Sequence, residues 1–215
     1  SLQSEPERDL LVLAPYYSDQ ITIIKQIAKS LPVGYKLFVK DHPIMSEIGW
    51  RNIEYYKQIM ALPNVTLLHP SIKSNEIIKK CSVVLTIAGT PGFEALFEQK
   101  PVIVFSDIDY SVLPSVLRVQ KIEDLPILIR SALKLKVESS SLDKFVKIID
   151  KSSIYFDKYE YIRAFNNIFD FKGFSKTVSL SNNEIIKIMN DFSTTFKMLG
   201  DAHFQKIKTM LNEKR

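Results

Sequence analysis

The residue types best suited to bind an anion lie in the corner formed by residues 89–92, Gly-Thr-Pro-Gly. This corner follows the apolar run 83–87 and precedes the segment 93–96, Phe-Glu-Ala-Leu. A β-branched run, a glycine-rich corner and a helix-forming segment together predict a strand, a tight turn and a helix N-terminus. Such a turn directs backbone N–H groups and the positive end of a helix dipole at one place, which suits a phosphate group.

Individual side chains of the corner extend this interpretation. Gly89 and Gly92 lack Cβ atoms where a diphosphate and a ribose would approach the backbone, and Glu94 would accept hydrogen bonds from the ribose hydroxyls. Thr90 as N-cap and Pro91 as first helical residue would equally suit an ordinary helix start. The corner alone therefore leaves a structural and a functional interpretation open.

A second candidate motif, Lys40-Asp41-His42-Pro43, follows the apolar run 36–39. Side chains two residues apart on an extended segment project from the same side, so Lys40 and His42 would hold a phosphate between an ammonium and an imidazole. If the two apolar runs are neighbouring parallel strands, both motifs leave the sheet at its carboxyl edge, where open α/β sheets bind ligands. Together they predict a nucleotide site.

Weaker candidates follow two other apolar runs. His69 and Ser71 come after residues 65–68; we interpret His69 as structural and Ser71 as a contact for the base or the phosphate. Tyr110 follows the run 102–105 and is a candidate on the same edge.

These motifs require a parallel sheet to position them. Strand-like and helix-like segments alternate over residues 1–140, which predicts a doubly wound, Rossmann-like α/β domain of about five or six strands. Residues 141–215 contain no strand-like run and predict a helical, aromatic-rich extension that packs on this domain or on a missing N-terminal domain. Within that extension, Ser181 is the predicted N-cap of a last helical stretch. The predicted strands are 10–14, 35–39, 65–68, 82–87 and 102–105.

Composition narrows the possible partners. The chain has 215 residues, one cysteine and a net charge of +5, which favours anionic partners, although no basic and aromatic pattern indicates nucleic acid. No apolar run approaches the ~18 residues that a membrane span needs, so we expect a cytoplasmic protein, with a basic surface able to associate peripherally with the inner face of the membrane.

The cysteine and histidine spacing predicts no metal site. Motifs of nicotinamide dehydrogenases, P-loop enzymes and serine hydrolases are missing from the sequence.

Four segments in order resemble the capsule polysaccharide biosynthesis family. They are Lys-Asp-His-Pro at 40–43, Leu-Pro-Asn-Val at 62–65, the stretch from Thr86 to Leu96, and Lys-Pro-Val-Ile-Val-Phe at 100–105. The family includes bacterial transferases of Kdo, an eight-carbon acidic sugar, and is similar to GT-B glycosyltransferases. The resemblance extends over residues 35–110.

The resemblance implies the C-terminal, donor-nucleotide half of a GT-B glycosyltransferase that makes surface polysaccharide. It implies that His42 and Pro43 contact the donor nucleotide and that Thr90, Gly92 and Glu94 hold its phosphate and ribose. The donor would be a CMP- or UDP-linked sugar and the acceptor a saccharide or a lipid-linked saccharide, with no metal required.

Two departures from the family accompany the resemblance. Many relatives have serine where this chain has Gly89, so one phosphate-binding hydroxyl is missing. The acceptor-side domain, which usually holds the acidic catalytic residue, does not fit in this chain, and no catalytic residue is identified. The alternatives are a nucleotide-sugar epimerase or polyol-phosphate transferase of the same architecture, or a non-catalytic nucleotide- or sugar-binding module.

Overall fold

A computed structural model describes residues 2–5, 9–45, 49–169 and 181–212. The chain divides into two compact units, residues 1–148 and residues 149–215. The first unit contains every strand of the described residues, and the described part of the second consists of helices and the segments that connect them.

The first unit is an α/β fold with Rossmann-like, parallel strands. Strands β1 (Leu37–Lys40) and β2 (Val65–Leu68) pair in parallel, with Lys40 opposite Leu68 at their carboxyl ends. A second parallel sheet contains, in this order, β3 (Val84–Thr86), β4 (Val102–Val104) and β5 (Val116–Arg118). The α/β class and the parallel pairing are confirmed, whereas the described strands form two sheets in place of the predicted single sheet.

Nine α-helices accompany these strands in the described residues, with short 3-10 helices at Pro15–Tyr17, Asp109–Val112 and Ile122–Asp124. The helix Ser139–Ser152 begins in the first unit and ends in the second. The helices are α1 (Gln20–Ser30), α2 (Ile53–Met60), α3 (Ser74–Lys80), α4 (Thr90–Phe97), α5 (Leu125–Ala132), α6 (Ser139–Ser152), α7 (Lys158–Phe169), α8 (Asn182–Asp191) and α9 (Ser193–Asn212).

The prediction of a strand at residues 10–14 is wrong: Asp9–Leu13 is a π-helix. Leu10 and Ala14 are buried while Leu11, Val12 and Leu13 are exposed, which is the pattern of a helical turn. A strand would have buried residue 12 together with residues 10 and 14. A short apolar run fits both structures, because its periodicity alone does not separate a buried strand from a buried helical turn.

The core explains why the run at β4 is apolar throughout. Val102, Ile103 and Val104 are each 0% exposed. Ile103 packs in a cluster with α1 and α5, whereas Val102 and Val104 pack with α4 and β5 in another. Successive side chains of a strand point to opposite faces, so β4 is covered on both. A cavity of about 430 Å³, lined largely by apolar residues of β1, β3 and α1, lies between the two sheets.

Side chains at the helix starts agree with the sequence in two places. Asp19 caps α1, and its carboxylate accepts a hydrogen bond from the Thr22 amide at 3.2 Å. In the second unit, Ser181 caps α8 and forms a capping box with Glu184, which confirms the predicted N-cap. Hydrogen bonds from Ser181 lower the pKa of Glu184. No helix in the described ranges is long and apolar enough to cross a membrane.

Candidate functional site

The carboxyl end of β1 and the glycine-rich corner after β3 lie on either side of residues 2–3. The amide of Leu2 donates to the carbonyl of Lys40 at 2.9 Å. The Nε2 atom of Gln3 lies 2.8 Å from the position that a Cβ on Gly89 would occupy. Both motifs therefore lie next to residues 2–3 at the carboxyl ends of parallel strands, the edge at which open α/β sheets bind ligands.

Lys40 places a buried cation at this edge. The residue is 6% exposed, and burial lowers the pKa of its ammonium, an effect that the charge of Asp41 partly opposes. Within the described part of the chain, no carboxylate lies within the 4 Å of an ion pair with Lys40. A buried ammonium without a paired anion costs free energy. The site is thus electrostatically suited to an anionic ligand.

The carboxylate of Asp41 is held in a network of hydrogen bonds within the protein. Its carboxylate is 1% exposed and receives hydrogen bonds from Arg51 Nε at 3.3 Å, Tyr56 Oη at 2.7 Å and the His42 amide at 2.8 Å. Arg51 also pairs with Glu5 at 2.9 Å. Two carboxylates therefore surround the guanidinium. Sequence reasoning did not assign Asp41 or Arg51, although a carboxylate at the end of a buried strand indicates that a partner is needed.

His42 is half-buried beside this network. Its Nδ1 accepts a hydrogen bond from the Ile44 amide at 3.2 Å. The neutral imidazole therefore has its hydrogen on Nε2, which makes Nε2 the nitrogen available to donate to a ligand. Pro43, which follows, is exposed.

Helix α4, which follows the glycine-rich corner, begins one residue earlier than the sequence indicates. The N-cap is Gly89, not Thr90, with extended backbone (φ −88°, ψ 155°). Thr90 is the first residue of the helix. The turn before it is closed by a hydrogen bond from the Gly89 amide to Thr86 Oγ1 at 3.0 Å. Thr90 is exposed, and so is Glu94, which lies in the second turn of α4.

Tyr110 fixes the shape of this corner. Its hydroxyl donates to the Gly89 carbonyl at 2.6 Å, and its ring stacks on Phe93 with centroids 5.6 Å apart. Burial raises the pKa of Tyr110 well above its usual range, so the hydroxyl remains a donor. A Cβ on Gly92 would overlap Tyr110 Oη. Gly92 therefore has a packing role beside the ligand role predicted for it.

Ser71 and His69 lie together at the carboxyl end of β2. The amide of Ser71 donates to His69 Nδ1 at 3.2 Å, and the Ser71 hydroxyl lies 2.7 Å from the same nitrogen. The exposed ring of Trp50 lies 6.3 Å from the His69 ring, centroid to centroid. Sequence reasoning did not single out Trp50, because it stands in no recognised motif. No cluster of potential metal ligands occurs among the residues that the structure describes.

The fold and the site define a Rossmann-like α/β domain that gathers a buried cation and a glycine-rich corner at the carboxyl edge of parallel strands. A family model described as capsule polysaccharide biosynthesis protein matches residues 3–113, just over half of the chain. The chain belongs to this family and thus to the proteins of capsule polysaccharide synthesis, which confirms the resemblance; the likeness to Kdo transferases stays a prediction. The match includes β1 to β4 and both motifs. No curated protein and no solved structure shows significant similarity to the chain.

Proposed function

We propose that the chain is the donor-binding half of a GT-B glycosyltransferase that holds a nucleotide-activated sugar for capsular polysaccharide synthesis. The observation that most supports this is the Lys40 ammonium, buried at the end of β1 without an ion pair in the described residues. In this proposal the two parallel sheets are the halves of one doubly wound arrangement. The donor binds across the crevice between their carboxyl ends.

Each candidate residue has a role that its chemistry supports. Lys40 and the Nε2 hydrogen of His42 contact the donor phosphates, together with backbone amides at the start of α4. The Thr90 hydroxyl is a further donor to phosphate, and Glu94 accepts from the ribose hydroxyls. Pro43 fixes the backbone after His42.

These groups favour the departure of the nucleotide. In glycosyl transfer, the bond between the anomeric carbon and the phosphate oxygen breaks, and the bond to an acceptor hydroxyl forms. Negative charge accumulates on the departing phosphate, and a fixed cation with oriented N–H groups stabilises that charge in the transition state. The acceptor's proton goes to a base that none of these residues provides, in agreement with a separate acceptor-side domain.

Calorimetric titration with CMP, UDP and GDP tests the proposal. We expect one of them to bind, and we expect His42→Ala and Glu94→Ala each to weaken binding about tenfold or more, the effect of losing a charge-assisted hydrogen bond. Glu76→Ala, which removes an exposed carboxylate from the first turn of α3, is the matched control and leaves the affinity unchanged. Equal binding by wild type, His42→Ala and Glu94→Ala would reject the site.

A turnover assay separates the remaining functions. Conversion of UDP-GlcNAc to its epimer by the chain alone would identify an epimerase. Nucleotide binding that persists without sugar transfer after an acceptor-side domain is supplied would identify a non-catalytic binding module. Transfer of sugar from the bound nucleotide to a saccharide supports the proposal.

A further inference from the structure

An exposed aromatic platform lies beside the proposed phosphate site. Trp50 is 54% exposed, and its ring is tilted by 50° from the ring of His69. His69 follows directly after β2, whose last residue, Leu68, is opposite Lys40. Since neighbouring strands are only about 4.8 Å apart, this platform lies next to the residues that end β1.

The residues that follow Trp50 are held by several side-chain contacts. The next residue, Arg51, is anchored through its side chain to Asp41 and Glu5, and its amide donates to Tyr56 Oη at 3.4 Å. Asn52 then caps α2, with its side chain accepting from the Glu54 amide at 2.9 Å. A large indole that remains half exposed while the residues after it are anchored is a feature of binding surfaces, because its apolar face gains free energy only when something covers it.

The polar atoms of the platform are also oriented. Nδ1 of His69 accepts from the Ser71 amide, so the neutral ring has its hydrogen on Nε2. That N–H is a donor suited to a carbonyl oxygen on a planar ring. The two aromatic rings, with centroids 6.3 Å apart, leave less than the roughly 7 Å that a flat ligand between them would need. A base therefore does not insert between the two rings; it lies on the exposed part of the indole with one edge beside the His69 ring.

We propose that Trp50, His69 and Ser71 form the nucleobase subsite, in which Trp50 stacks on the base and His69 Nε2 donates to a base carbonyl. The inference rests on the proposed function, because it takes the ligand of Lys40 and His42 to be a nucleotide. A nucleotide joins an anionic phosphate to a flat base with carbonyl acceptors. The end of β1 and the end of β2 provide matching chemistry side by side.

Trp50 is the single tryptophan of the chain, so its fluorescence reports this subsite directly. The experiment titrates the full chain with CMP, UDP, GDP and ribose 5-phosphate, following fluorescence and calorimetry in parallel. We expect the bound nucleotide to quench the fluorescence and ribose 5-phosphate to bind without quenching. Trp50→Ala weakens nucleotide binding about 5- to 150-fold, the range of base–aromatic stacking, and leaves ribose 5-phosphate affinity within about twofold.

Two variants provide matched comparisons. Trp50→Phe keeps an aromatic face and retains most of the nucleotide affinity. Tyr35→Ala removes another exposed aromatic ring, just before the opposite end of β1, and has no effect. Two results together overturn the subsite and leave the proposed function intact: Trp50→Ala binds the nucleotide with wild-type affinity in calorimetry, and the nucleotide does not quench the fluorescence of the wild type. Failure of all three nucleotides to bind the wild type overturns both.

Discussion

Replacing Gly92 with alanine tests how the glycine-rich corner is built. The new Cβ would overlap Tyr110 Oη and lie 3.0 Å from Thr86 Cγ2. Tyr110 is 8% exposed, and its hydroxyl is bonded to the Gly89 carbonyl, so it cannot move away without breaking that bond. The substitution therefore forces either a displaced tyrosine or a displaced α4.

The cost follows from these contacts. Overpacking costs about 1–3 kcal/mol, and a buried hydroxyl that loses its acceptor costs about 1–3 kcal/mol more. Alanine in place of a helical glycine returns up to about 1 kcal/mol. We therefore expect Gly92→Ala to lower the free energy of unfolding by about 2–4 kcal/mol. Tyr110→Phe alone costs about 1 kcal/mol, since the Gly89 carbonyl still accepts from the Gly92 amide.

The double variant distinguishes this mechanism from a general loss of stability. Because Phe lacks the overlapping oxygen, Gly92→Ala costs about 1 kcal/mol or less in the Tyr110→Phe background, a coupling of about 1–3 kcal/mol. Urea denaturation followed by far-UV circular dichroism measures each corner of the cycle. Gly200→Ala in α9, where no described atom lies within 4 Å of the new Cβ, is the control and is neutral or stabilising. An equal cost of Gly92→Ala in both backgrounds would refute the reasoning.

Two further substitutions test the charged residues. Asp41→Asn leaves a buried guanidinium with only Glu5, so we expect a loss of about 3–5 kcal/mol in urea denaturation; a loss below about 1 kcal/mol would contradict the network. Lys40→Met removes a buried charge, so we expect a gain of about 1–2 kcal/mol at pH 7 together with weaker nucleotide binding. The pKa of Lys40 is lowered in the folded chain and has its ordinary value of 10.5 in the unfolded chain. Between these two values the unfolded chain binds more protons, so the free energy of unfolding of the wild type rises as the pH rises towards 10.5. The difference in free energy of unfolding between Lys40→Met and the wild type therefore decreases over that pH interval. A difference that increases with pH would contradict a lowered pKa for Lys40.

The parts of the fold that sequence predicted are those fixed by nearby residues. The run at 102–105 is β-branched and follows a proline, and it forms β4 within one residue. Asp19 and Ser181 cap helices as predicted, because a cap depends on amides only two or three residues away. Burial on both faces of β4 also follows from its uniform apolar character.

The parts that sequence missed depend on partners far along the chain. The role of Tyr110 depends on a carbonyl 21 residues away, and that of Asp41 on an arginine ten residues away. Neither partner is indicated by a local pattern. The run at 10–14 was misassigned for a related reason: its side chains fit either a strand or a helical turn, and only the surrounding packing selects between them.

The same long-range contacts determine which cation near the end of β1 remains for the proposed anionic ligand. By its chemistry alone Arg51 is the better phosphate-binding group, because a planar guanidinium binds two oxygens at once. It is held instead between Asp41 and Glu5, which leaves no net positive charge at its position. Asp41 directs its carboxylate to Arg51 and Tyr56, so Lys40, the adjacent residue, has no ion pair in the described structure. The aspartate of the Lys-Asp-His-Pro motif thus anchors Arg51, the residue after Trp50, and leaves Lys40 without an ion pair in the described structure, as the proposed anion site requires.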